Sequence, residues 1–226
     1  NPQSVSKATK LILVNAIYFY GQWKFPFDED RTREDFFYVN GTSKQKKSFM
    51  NAEERFSYAE NDLLQIVELP YSAANISMYV LLPKEKTGIS DIEQKLSLVN
   101  LNQWIEQMKK EKVRLSLPKF KLTNEFDLTK TLKQMGISAA FSTNADFSGI
   151  NGKKNLKIDK VIHKTYIEVN EKGTEAAGAT AGVIVATSVP SYKTFRANRP
   201  FIFLIKDQLS DNIFFIGKIV NPQSQD

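Results

Sequence analysis

The sequence predicts a β-rich α+β chain, and three observations carry that prediction. Short apolar or alternating runs of strand length outnumber helix-period patterns by about ten to three. Most of these runs stop at Gly, Pro, Asn or Asp, residues that favour turns. No segment repeats and no clear linker interrupts the chain, whose length suits one large domain or two small ones.

Leu11 to Tyr20 is rich in β-branched and aromatic residues and ends at Gly21, which reads as a strand buried on both faces. Asn15 lies in its middle, so a buried amide with a specific partner is expected there. Trp23, Pro26 and Phe27 begin an irregular segment. Phe36 to Val39, Phe56 to Ala59 and Leu64 to Leu69 read as strands, the last two joined by a turn at Asn61-Asp62. Pro70 to Asn75 turns into Ile76 to Leu82, which Pro83 stops. Ser90 with Glu93 has the spacing of a capping box ahead of a helix, and a second helix is expected over Leu101 to Lys110. Arg114 to Leu122 alternates around Pro118, and Asp127 to Met135 has helical spacing closed by Gly136. Lys157 to Asn170 is strand-like, and Phe201 to Ile205 with Ile213 to Ile219 forms a terminal pair expected to be buried.

Composition narrows the chemistry. The chain has 226 residues, no Cys and one His, which removes disulfides, thiol nucleophiles and multi-histidine zinc sites. Neither a metal nor a cofactor is expected. A net charge of +6 comes from dispersed basic residues. Lys44 to Lys47 and Lys109 to Arg114 read as solvated faces or turns, with no interleaved aromatics for stacking bases. No apolar run approaches the ~20 residues of a membrane span. Nucleic acid and membrane are therefore not expected partners. The sequons at Asn40 and Asn75 suit a secreted glycoprotein. The chain opens without Met and reaches an apolar run almost at once, which reads as a start inside a domain.

One stretch departs from ordinary loop chemistry. Gly173 to Pro190 is almost uncharged after Glu175 and consists of small or β-branched residues. As a strand, it would place Thr174, Ala176, Gly178, Thr180, Gly182 and Ile184 on one face. No proline precedes Pro190, so each backbone N–H could join a ladder. A flexible Ala/Gly linker or an ordinary edge strand fits the composition equally well.

The flanks separate these readings. Glu171-Lys172-Gly173-Thr174-Glu175-Ala176-Ala177-Gly178-Ala179-Thr180 resembles the hinge of the serpins, serine-protease inhibitors with a mobile reactive loop. Phe195 to Phe203, Leu13 to Phe19 with Gly21 and Trp23, Leu117-Pro118-Lys119, and Phe141 with Ala145 to Gly149 also resemble serpin motifs. The likeness runs from about Lys7 to Pro222 in the family's order. It implies a multi-sheet fold with few helices, exposing a reactive loop at about 173–195. It also implies that residues 1–226 are the C-terminal portion of a single serpin domain whose helical N-terminal part is absent.

What the resemblance implies for function is a suicide substrate. A serine protease cleaves the loop, remains attached as an acyl-enzyme, and the loop inserts into the main sheet. Thr174 would enter first, where a charge would be buried unpaired. Family spacing from Gly173 places the reactive bond at Thr187–Ser188, or as late as Val189–Pro190 when counted back from Phe201. A small residue at Thr187 suits an elastase-like enzyme. Lys193 would suit a trypsin-like one but lies too far along. His163 would face Asn15 in the sheet-opening region, while Lys119 and Glu171 would pair at the top of the sheet near Trp23. A monomeric, extracellular inhibitor is expected, with an intracellular location and a non-inhibitory carrier or chaperone role as alternatives. Heparin or another polyanion is left open as a partner. A Ser-His-Asp hydrolase is disfavoured, because no Gly-x-Ser-x-Gly elbow exists.

Overall fold

The structure, a computed structural model, describes residues 10–72, 75–174 and 191–223. Among the described residues, thirteen strands and four α-helices divide between two compact units.

The first unit comprises Asn1–Phe19 with Leu122–Ile167. Its sheet is three-stranded, ordered β1-β9-β8, from β1 (Ile12–Tyr18), β8 (Phe120–Asp127) and β9 (Lys160–Val169). Strands β1 and β9 run parallel, with Asn15 opposite His163 and Tyr18 opposite Tyr166. The helices are short: α3 (Thr129–Gln134) and α4 (Ser148–Asn151). The expectation that β1 is buried on both faces is overturned, since Leu13, Val14, Ile17 and Tyr18 are all exposed. Asn15 is exposed as well. β1 is an edge strand whose residues from Leu13 to Tyr18 are exposed; apolar composition sets β propensity, not what packs above it.

The second unit comprises Tyr20–Lys121 with Glu168–Asp226. Its eight-stranded sheet runs β11-β7-β4-β5-β6-β12-β13, with β3 attached to β4. The spine is β4 (Lys44–Glu60), a 17-residue strand that pairs in turn with β3 (Arg33–Tyr38), β7 (Lys109–Pro118) and β5 (Leu64–Pro70). The basic runs Lys44 to Lys47 and Lys109 to Arg114 lie in strands, not turns, and are solvated faces as expected, since most of their residues are exposed. Their lysines lack apolar alternation, but backbone pairing with β3 and β4 needs none.

Beyond β5, the strands β6 (Ile76–Pro83), β12 (Phe201–Asp207) and β13 (Ile213–Ile219) continue antiparallel. Helices α1 (Ile89–Lys95) and α2 (Leu98–Glu106) supply Ile92, Leu101 and Trp104 to a core with Leu64, Ile66, Tyr79, Leu81, Ile202 and Leu204. Gly88, not Ser90, stands at the α1 N-cap and no side chain bonds there; Ser97 caps α2 by accepting from the Asn100 amide. The edge strand β13 alternates, leaving Phe214 and Ile216 exposed where full burial was expected.

Gly217 shows how tightly β12 and β13 meet. It pairs with Phe203, and a Cβ there would lie 2.6 Å from the Phe203 ring. That ring is buried and packs on Phe120 at 5.3 Å. Gly217→Ala is expected to destabilise the fold by about 1–3 kcal/mol, the cost of overpacking a filled core. Urea unfolding checks this, and an unchanged midpoint would contradict it.

Candidate functional site

After Val169 the chain makes a tight turn. The Asn170 and Gly173 amides each donate to the other residue's carbonyl, and the Asn170 side chain accepts from the Lys172 amide. The turn delivers β10 (Gly173–Thr174) antiparallel to β2 (Gly21–Gln22). Only glycine fits position 173. Its φ is +145°, and an added Cβ would stand 2.2 Å from the Gly21 carbonyl oxygen and 2.7 Å from Gln22 Cα. These obstacles are backbone and cannot rotate away.

Aromatic residues lock this turn from the β2 side. Trp23 is buried, donates Nε1–H to the Asn170 carbonyl at 2.9 Å, and stacks on Tyr71 with centroids 4.6 Å apart. Its own amide donates to Lys172 O, and the Phe27 amide donates to Glu171 O. Thr174 is only 1% exposed, and its hydroxyl shares a 2.9 Å hydrogen bond with the Tyr71 phenol. Burial pushes the Tyr71 phenol up, and the bond to Thr174 offsets part of that rise.

Glu171 is the charged anchor. Its side chain is 8% exposed, lies 3.0 Å from Lys119 Nζ and accepts from Thr32 Oγ1 at 2.8 Å. Burial alone would raise its carboxyl. Hydrogen bonds from Lys119, its own backbone and Thr32, with the Lys119 charge, outweigh that and hold it below the usual glutamate value.

The other expected residues fall as follows. Asn15 and His163 are register partners on the parallel pair β1–β9, and Phe126 stacks over the imidazole at 6.5 Å. Among the described residues no side-chain hydrogen bond joins Asn15 to His163. Tyr18 and Tyr166 stack at 5.8 Å on the same pair of strands. Asn40 and Asn75 are both exposed. Of the segment expected at about 173–195, Gly173 and Thr174 form β10 and the C-terminal end lies in β11 (Lys193–Arg196). Glu175, Ala176, Ala177, Gly178, Ala179, Thr180, Thr187 and Ser188 lie outside the described residues. Sequence reading missed Tyr71 and Thr32. Tyr71 carried one signal, an aromatic among turn residues between Pro70 and Asn75, whereas Thr32 carried none. Among the described residues no helix is long and apolar enough to cross a membrane, and no acidic, His or Cys cluster could hold a metal.

A glycine-only turn, a buried threonine, and a nearly buried glutamate paired with Lys119 close to a tryptophan fix the course of Asn170 to Thr174. The family model described as Serpin (serine protease inhibitor) matches residues 1–222, and the chain belongs to that family. It is 40% identical to a serine protease inhibitor of Cyanea capillata, over 98% of this chain and 59% of that protein. It is 39% identical to the leukocyte elastase inhibitor of Sus scrofa, over 96% of this chain and 60% of that protein. Among solved structures it is similar to human thyroxine-binding globulin with bound thyroxine, with a TM-score of 0.85 and 31% identity, covering 97% of this chain and 58% of that one. The chain thus spans about three fifths of the length of the relatives it matches.

The Glu171 anchor gives a pH test with a definite sign. A carboxyl held below its unfolded value adds stability that is complete above that value and lost as pH falls through the folded one. Wild type is expected to exceed Glu171→Gln by about 1–3 kcal/mol at neutral pH, a buried-pair loss reduced because Lys119 is partly exposed. That advantage should shrink as pH falls from about 5 toward 3. Melting of both proteins across this range checks it, and a pH-independent difference would contradict it.

Proposed function

We propose that the protein is the C-terminal portion of a serpin that inhibits a serine protease as a suicide substrate. The protease serine Oγ attacks the Thr187 carbonyl carbon, the bond to the Ser188 nitrogen breaks, and the proton passes to that departing amine. The acyl-enzyme stays on Thr187 while the segment headed by Thr174 enters between β1 and β9. Entry separates the Asn15–His163 and Tyr18–Tyr166 neighbours and replaces their direct pairing with a new strand. The protein itself turns over no substrate; the chemistry belongs to the protease. The partner is that protease, held covalently, on a monomeric inhibitor.

The buried Thr174 carries this reading. An uncharged hydroxyl bonded to Tyr71 can leave its pocket and pass into a sheet, and the Ala-Ala-Gly-Ala run behind it adds no bulk. An elastase-like target agrees with the small Thr187 and with the likeness to a leukocyte elastase inhibitor. A trypsin-like target reading Lys193 is less favoured, because Lys193 sits in β11 and pairs with Glu60 at 3.0 Å. The likeness to thyroxine-binding globulin is what supports a non-inhibitory carrier as the second reading. Exposure of Asn40 and Asn75 agrees with a secreted glycoprotein, with an intracellular location as the alternative.

Incubating the full-length protein with elastase-like, chymotrypsin-like and trypsin-like enzymes is expected to yield an SDS-stable complex, strongest with the first. Thr174→Arg should divert the reaction to plain cleavage, raising the stoichiometry of inhibition by roughly tenfold or more, because insertion would bury an unpaired charge. No complex with any enzyme, or full inhibition by Thr174→Arg, would contradict the proposal.

A further inference from the structure

A second surface of the β4–β7–β11 sheet has chemistry that the hinge does not use. Alternation on these strands turns Met50, Val113, Leu115, Leu117 and Phe195 inward, all 2% exposed or less. The opposite face carries Glu53 opposite Arg114, and Ser116 opposite Arg196. Between these strands lies an open cleft of about 180 Å³ whose charged lining is Arg31, Arg114, Arg196 and the single acid Glu53.

The arginines there exceed what the local acids can occupy. Arg114 reaches Glu53 Oε1 through Nε at 3.1 Å, and Arg31 approaches the same oxygen at 3.7 Å. One carboxylate therefore serves two guanidiniums, each of which has five N–H donors. Arg196 pairs with Asp35, which is not part of the lining. The ring of Tyr192, 4.8 Å from Arg114 Cζ, holds that guanidinium in place. Among the described residues, the terminal amino groups of Arg114 have no protein partner.

We infer that this cleft is a docking site for an acidic side chain of the protease that attacks the loop, and this rests on the inhibitor reading above. A planar fork with unused parallel donors matches a carboxylate in geometry as well as charge. The cleft has room for one or two side chains rather than a long polymer. Its strand β11 and Tyr192 are the first described elements after the segment holding the reactive bond, so a protein engaged on that segment's far side meets them next. The contact selects among proteases by the acids beside their active sites, independently of the residue at Thr187.

Two measurements on the full-length protein test this. In the first, the tetrapeptide Ac-Glu-Glu-Glu-Glu-NH2, sodium sulfate and a heparin octasaccharide are titrated separately while the arginine Nε–Hε NMR signals are followed. Saturable shifts of Arg114 and Arg31 with the peptide are expected, weakened roughly tenfold in Arg114→Gln and unchanged in the surface control Lys95→Gln. No saturable peptide binding, or saturation by the octasaccharide alone, would overturn the carboxylate site.

In the second, association rates with a protease panel are compared at low and physiological salt. Arg114→Gln is expected to slow complex formation roughly tenfold with enzymes bearing acids near the active site, less so as salt screens the contact, with unchanged stoichiometry. Arg114→Lys should recover only part, because it restores charge without the fork. Peptide binding with equal association rates for wild type and Arg114→Gln would overturn the assignment to the protease. Peptide binding without a complex on any enzyme would overturn both that assignment and the inhibitor reading, while the titration would still establish a carboxylate site.

Discussion

Glu171 is a carboxylate held almost out of water, and the arrangement of the turn from Asn170 to Thr174 follows from how it is satisfied. Removing a charge from solvent costs several kcal/mol unless it is paired and hydrogen-bonded. Lys119 and Thr32 meet that requirement from β7's C-terminal end and from the start of β3. With the carboxylate fixed, the backbone of Asn170 to Gly173 has one course. Trp23 and Phe27 then bond the carbonyls along it, and Gly173 is forced into a backbone region only glycine enters freely. Thr174 is left buried, hydrogen-bonded to Tyr71.

Under the proposed inhibitor reading, this arrangement separates two tasks that a reactive loop must combine. The root has to be immobile enough that cleavage triggers an ordered event. The first residue to move has to be neutral and lightly held. The Thr174 side chain is held by one neutral hydrogen bond, to Tyr71, a modest hold of about 1 kcal/mol beside the short backbone pairing of β10 with β2. The ion pair and the aromatic stack below it are much harder to break. The line proposed to part, between β1 and β9, is similarly graded, since β1 is an exposed edge strand whose side-chain ties to β9 include one ring stack and a polar pair without a mutual hydrogen bond.

Part of the Asn170 to Thr174 turn was legible in the sequence because its chemistry is local. A glycine ahead of a neutral threonine and a run of small residues can be read without knowing what lies nearby. The Lys119–Glu171 pair came from resemblance, not from spacing. Tyr71 and Thr32 stayed hidden because their partners lie about 100 residues away or more, and no periodicity records such a meeting. Leu11 to Tyr20 was read as doubly buried for the converse reason. Its residues suit a strand, but burial depends on which elements cover it. The lysine runs in β4 and β7 are solvated faces, as their charge indicates, but their being strand was not legible, because hydrogen bonds between backbones, not side-chain patterning, make those segments strands. Arg114, at the end of the second run, is the one residue of these runs that lines the arginine cleft.

The most direct test compares the melting temperatures of the intact protein and of the protein cleaved within residues 175–190. If the segment enters between β1 and β9, its amides complete a ladder and the cleaved form melts well above the intact one. A cleaved form that melts at the same temperature or lower would contradict insertion and leave the hinge as a static turn.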